Sequence, residues 1–182
     1  MNWVDAHANL PPRQGGLRKQ MWLLREQPSG TRRPSRSEGF LLLKTDIDAA
    51  TVQAYQDTEY RFQGDTPFCL KIGIVNKSLL TIHKLYRVEC SVFLTACNPY
   101  SQMVNDTDNR VRQCELADEL VRRGLTYLPG IGQHPSNNWP GEESFLVLGV
   151  NLQSAKKLGE HCEQSAIVWC GAAGLPKLIL LH

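Results

Sequence analysis

The chain has 182 residues, 42% of them hydrophobic and 21% charged, with a formal net charge of +2. That balance fits one soluble globular domain with a real core and excludes bulk disorder. So small a net charge gives no reason to expect nucleic acid or a membrane as partner, and no run approaches the roughly 18 apolar residues of a bilayer span.

The charge is uneven. Residues 1–40 carry seven Lys or Arg against three acidic residues, so the rest of the chain is slightly acidic. Those 40 residues are rich in Pro, Gly, Arg and Ser, broken only by Met21-Trp-Leu-Leu24. Such a composition buries too little apolar surface to offset its chain entropy and is expected to be disordered. It reads either as a basic arm touching nucleic acid or a protein partner, or as a dispensable extension or a start assigned too far upstream. The start lacks the basic and apolar regions of a secretory signal. The six cysteines form no C-x-x-C pair. Buried free thiols and a cytoplasmic location follow as the expectation.

Structure is expected from about residue 46. Asp46 caps a short helix running to about Tyr55. Glu59-Tyr-Arg-Phe62 and Phe68 to Gly73 read as strands around the turn Gly64-Asp-Thr-Pro67. Residues 76–88 read as a helix with Leu79, Ile82, Leu85 and Tyr86 on one face. Cys90 to Cys97 is a short apolar run rich in β-formers, hence a central strand, and it stops at Asn98-Pro99. The clearest helix spans about 106–123. One arc is apolar; the other is charged and reads as solvated, with pairs Asp108–Arg112, Asp118–Arg122 and Glu119–Arg123. Leu125 to Leu128 is a short strand, Pro129 to Gly141 a loop, and Glu143 to Val150 a strand. Asn151 caps a helix through Cys162. Residues 164–170 and 176–181 close the chain as a hairpin. The order predicts a single α+β domain over 46–182, with a mixed or antiparallel sheet flanked by about four helices.

Candidate chemistry gathers at two places. Asn98 ends a strand before proline, where its amide could meet a polar ligand or close its own turn. Ser101 follows it, and Asn109 and Arg110 open the long helix, where an arginine could hold an anion. The second place is the loop 129–141 and the strand after it. Gly130-Ile-Gly132-Gln133 is a flexible turn or an anion nest. Trp139 could stack on a flat ligand or cover the core. Glu142 and Glu143 lie on opposite faces of their strand. One should reach solvent and the other a cleft, where burial would suit it to acid/base work. Ser144 follows. No hydrolase, metalloprotease or nucleotide-loop motif is present, nor any zinc-type Cys/His pairing, so no metal and no cofactor is expected. Cys97 with His134 or His161 is a weaker nucleophile pair.

The motifs Phe93-Leu-Thr-Ala-x-Asn-Pro-x-Ser101, Asn109-Arg110, Leu128-Pro-Gly-x-Gly132 and Trp139-Pro-x-Glu-Glu-Ser-Phe-Leu-Val-Leu-Gly149 resemble those of bacterial proteins grouped as domain-of-unknown-function family 3293. Gln164-x-Ala-Ile-Val-Trp169 fits as well. The resemblance spans about residues 47–181. It implies a compact α+β module without an assigned reaction, with polar motif positions at Asn98, Ser101, Asn109, Arg110, Trp139, Glu142, Glu143 and Ser144.

These readings converge on a cleft for a small polar or anionic molecule. Asn98, Ser101, Asn109, Arg110, Gln133, Trp139 and Ser144 would bind it, with Glu143 as first and Glu142 as second acid/base candidate. The competing expectation is a non-catalytic interaction or regulatory module. There the carboxylates are solvated and a protein partner grips the Trp139 loop and the basic arm.

Overall fold

The computed structural model describes residues 47–62 and 67–181. The basic extension 1–40 and the turn at 64–66 lie outside the described residues. Four helices are described: α1 (Ala49–Asp57), α2 (Lys77–Tyr86), α3 (Asp106–Arg122) and α4 (Leu152–His161). They are joined to seven strands: β1 (Glu59–Phe62), β2 (Phe68–Leu70), β3 (Ser91–Leu94), β4 (Tyr127–Gln133), β5 (Glu142–Leu148), β6 (Ala166–Cys170) and β7 (Pro176–Leu180). This is an α+β fold.

All four helices start in the same way. Asp48, Asn76, Asn105 and Asn151 are extended residues whose side chains accept the N–H three residues on, at Thr51, Leu79, Asp108 and Ser154. Each cap satisfies one of the donors that a helix start leaves open. The cap of α1 is thus Asp48; Asp46 lies outside the described residues.

The strands form one antiparallel sheet in the order β2-β1-β4-β5-β3-β6-β7. Its edges are not left apart. Gly73 N donates to Pro176 O and Asn76 N to Gly174 O, both at 2.9 Å, so the chain leaving β2 is bonded to the chain entering β7. The sheet is therefore curled, with an inner and an outer face.

Strand alternation sorts the side chains between these faces. Val92, Leu94, Val147 and Ile167 point outward and pack with Leu116 and Leu120 of α3 and Ala155 and Leu158 of α4. Phe93, Leu146, Leu148 and Val168 point inward and pack with Tyr60, Phe62 and Leu70, together with Leu79 of α2. Across the inner face, Leu128, Leu146, Phe93, Val168 and Leu178 stand side by side in register. Below them His83 of α2 sets Nε2 2.9 Å from Ser91 Oγ, and Ser91 is paired with Leu148.

Three expectations change. β4 runs on through Pro129 to Gln133, where a loop was expected. Its glycines are strand residues. Gly130 pairs with Phe62 and Gly132 with Tyr60, and a Cβ on Gly130 would lie 2.9 Å from Arg61 O and 3.1 Å from the Phe93 ring. These glycines let aromatic rings approach the sheet, as glycine in a strand often does. Secondly, α3 is not simply solvated on its charged side. Arg112 turns in: Nε donates to Ala96 O at 2.8 Å, and Nη2 to Cys162 O at 3.0 Å and Glu163 Oε2 at 2.9 Å. Thirdly, Arg122 pairs with Glu119 where Asp118 was expected, while the expected Glu119–Arg123 pair is present. No helix among the described residues is long and apolar enough to cross a membrane.

Candidate functional site

Past Leu94 the chain leaves the sheet while still buried, so its backbone polar groups need partners that a ladder no longer supplies. Side chains provide them, one after another. Gln113 Oε1 accepts Ala96 N–H (3.0 Å), and Arg112 Nε donates to Ala96 O. Thr95 Oγ1 accepts Cys97 N–H (3.0 Å), and Gln164 Nε2 donates to Cys97 O (2.9 Å). Asn109 Oδ1 accepts Asn98 N–H (2.8 Å). The corner that follows is strained. Asn98, Tyr100 and Ser101 have φ of 47°, 52° and 58°, in the left-handed region that costs residues with a side chain. Conformations of this kind persist only where surrounding contacts over-determine them.

The corner presents the Asn98 side chain. Its Oδ1 accepts from Val104 N (3.1 Å) and Asn109 Nδ2 (3.0 Å), which fixes the amide orientation. Its Nδ2 then donates to Glu142 Oε1 at 2.6 Å. Trp139 Nε1 donates to the same oxygen at 2.9 Å. Glu142 Oε1 thus holds two hydrogen bonds, while Oε2 accepts none from the described residues. No Lys, Arg or His among the described residues forms an ion pair with Glu142. Burial pushes the Glu142 carboxyl above the ordinary glutamate range, and the bonds from Asn98 and Trp139 pull it partly back.

Glu142 lines a cavity of about 210 Å³ on the inner side of the curled sheet. The cavity exists because the inward positions here are small: Gly132 pairs with Glu142, and Gly130 with Ser144. One wall is α1, whose Thr51, Ala54 and Tyr55 share a helix face at spacings of three and four residues. Tyr55 Oη bonds Ser101 Oγ, and Tyr60 Oη donates to Tyr55 O at 2.8 Å, tying α1 to the strained corner. Among the described residues that line the cavity, none is Lys or Arg.

The expected site residues therefore separate. Asn98, Ser101, Trp139, Glu142 and Ser144 line the cavity. Asn109 stands behind Asn98 and holds both its backbone and its amide. Glu143 points the other way and is exposed. The register Gly132↔Glu142 puts even-numbered residues of β5 inward, which reverses the order of the two carboxylates. What Glu143 does contribute is its carbonyl, which accepts from Thr95 Oγ1 at 2.7 Å. Arg110 is exposed and does not line the cavity. Gln133 lies on the outer face of β4, 3.4 Å from Arg61 Nη1. Cys97 Sγ donates to Glu143 O, and burial raises its pKa, the reverse of nucleophile activation. His134 Nδ1 accepts from the Ser136 and Asn137 amides.

Tyr55, Gln164 and Arg112 were not foreseen in these places. For Tyr55 the legible signal is the helical spacing Thr51, Ala54, Tyr55. For Gln164 it is the glutamine heading the motif Gln164-x-Ala-Ile-Val-Trp169. Nothing in the sequence pattern separates Arg112 from the charged arc around it.

Residues 94–167 match the family model described as Protein of unknown function (DUF3293), so this segment is similar to members of that family. The matched segment is narrower than the 47–181 span of the motif resemblance, but it contains Asn98, Trp139, Glu142 and Gln164. No curated protein and no solved structure matches the chain.

Proposed function

We propose that the segment matching the DUF3293 model, with α1 and β1 completing its cavity, binds a small polar molecule at Glu142. One observation carries this reading. Asn98 and Trp139 both hold Oε1 of a partly buried carboxyl, and Oε2 is left without a hydrogen bond in a residue that lines a cavity. Holding a side chain in one rotamer by packing and neighbouring hydrogen bonds is how working groups are preorganised. A carboxyl raised by burial can also give or take a proton near neutral pH, so acid/base catalysis at Glu142 belongs to the same proposal. The anionic ligand of the initial expectation is set aside, since no Lys or Arg among the described residues lines the cavity and the Glu142 carboxylate would repel an anion. Asn98 acts as the holder of Glu142, because both acceptor sites of its amide oxygen are used. A cytoplasmic setting is part of the reading and is supported by six free cysteines.

A thermal-shift screen with nucleotides, amino acids, sugars and small amines tests the proposal. A true ligand raises the melting temperature saturably by mass action. The expected result is a shift in the native chain that disappears in Glu142→Gln, with an unchanged circular dichroism spectrum. Ligand shifts that are equal in both proteins place binding elsewhere and contradict the reading.

A further inference from the structure

We infer that the molecule taken by this cavity is a small primary ammonium compound with a short alkyl stem. This rests on the cavity being a binding site and adds the class of ligand. The ground is the unpaired oxygen of the Glu142 carboxyl, Oε2, at the cavity wall.

The donors nearest the held carboxyl are used internally. Trp139 Nε1 and one Asn98 amide hydrogen go to Glu142. Gln164 Nε2 goes to Cys97 O and Cys162 O. Ser144 Oγ donates to Glu142 O at 3.0 Å, and Tyr60 Oη to Tyr55 O. Among the described lining residues the unspent donors are on the loop, His134 Nε2 and Asn137 Nδ2, and the unspent acceptors are Glu142 Oε2, Gln164 Oε1 and Ser144 Oγ. None of these three acceptors takes a hydrogen bond from the described residues. Glu142 Oε2 calls for a donor, and an ammonium group offers three and accepts none.

Charge points the same way. An ionised carboxylate that is partly buried and has no cation beside it is costly. An ammonium ion supplies the missing partner, whereas a carboxylate or phosphate ligand would add a second negative charge. The rings of Tyr60, Phe93 and Trp139 line the same cavity and can face a cation favourably. Its apolar floor, Phe93, Val168 and Leu178, suits a short methylene chain.

The test uses three probes of one size on the full chain at neutral pH: n-butylammonium, butyramide and n-butyrate. Melting temperature is measured against probe concentration for the native protein and for Glu142→Gln, whose amide oxygen can still accept from Asn98 and Trp139. The expected result is a saturable rise with n-butylammonium, a weaker one with butyramide, and none with n-butyrate. In Glu142→Gln the ammonium affinity should fall at least tenfold. Equal or stronger binding of butyramide or n-butyrate overturns the ligand class and leaves the cavity reading standing. The same holds if the ammonium fails while another compound gives a shift that depends on Glu142. An ammonium shift that persists in Glu142→Gln overturns the assignment to this cavity. If no compound of any class gives a Glu142-dependent shift, the inference and the binding-site reading fall together.

Discussion

The two halves of β5 make the most instructive comparison in this protein. Its inward residues are Glu142, Ser144, Leu146 and Leu148, in that order. Leu146 and Leu148 stand in a close-packed apolar cluster with Phe93, Val168 and Leu79 of α2. Ser144 and Glu142, one and two strand repeats away, face glycines and line a cavity. One strand thus carries both the core and the candidate site. The packed half holds the strand still, and the small residues opposite the other half leave room beside a held carboxyl. The difference teaches that stability and site can be altered separately, even at neighbouring inward positions.

The largest break in this comparison comes from the packed half. Leu79 and Leu146 are fully buried, and either one changed to Ala should cost about 2–5 kcal/mol in chemical denaturation. Ser144→Ala, on the same face as Leu146, should stay within about 1 kcal/mol, since its hydroxyl makes one strand-local bond. Equal costs at Leu146 and Ser144 would erase the distinction.

Next comes the corner that holds Asn98. Arg112→Ala removes the donor to two carbonyls, Ala96 O and Cys162 O, and should cost about 1–3 kcal/mol. It should also loosen Glu142, whose anchor lies just beyond Ala96. Arg112→Lys should recover only part, because an ammonium lacks the planar fork.

The glycines sharpen the comparison at finer grain. Gly130→Ala drives a Cβ against backbone at Arg61 and should cost about 1–3 kcal/mol. Gly132→Ala meets Phe93, Tyr60 and Ser144 only at 3.6–3.9 Å, ordinary contact. Its expected cost is within about 0.5 kcal/mol, yet it narrows the cavity and should weaken ligand binding.

The smallest effect on stability is a gain. The raised pKa of Glu142 means that the folded state binds this proton more tightly than the unfolded state does. Stability from this group is therefore full below the ordinary glutamate pKa and lost as pH rises through the raised value. Glu142→Gln removes that loss. Its melting temperature should match the native protein in acid and exceed it by a growing margin up to neutral pH.

Much of this was legible in the residues. The helices announce themselves through capping Asn or Asp and 3.6-residue periodicity, and β3 and β6 through short apolar runs. β4 was not legible past Leu128, because Pro129, Gly130 and Gly132 carry loop chemistry. Pairing with β1 and the rings of Phe62 and Phe93 override that local preference. Strand order was out of reach because partners such as β1 and β4 lie some 70 residues apart. That Asn98 and the Trp139 loop belong together could be read from the motifs. Which of Glu142 and Glu143 faces inward could not, since it depends on a one-residue register that only the paired strands fix. Arg112 looked like any other charge on α3, because its partners Cys162 and Glu163 come from a distant segment.

The account turns on Glu142 being a carboxyl held by Trp139 with its proton retained above the ordinary range. The Trp139 indole N–H reports this directly, since it donates to that oxygen. Its resonance, assigned by loss in Trp139→Phe, can be followed against pH. The expected titration has a midpoint above the ordinary glutamate value and vanishes in Glu142→Gln. A resonance that does not titrate, or a midpoint at or below the ordinary value, would contradict the account.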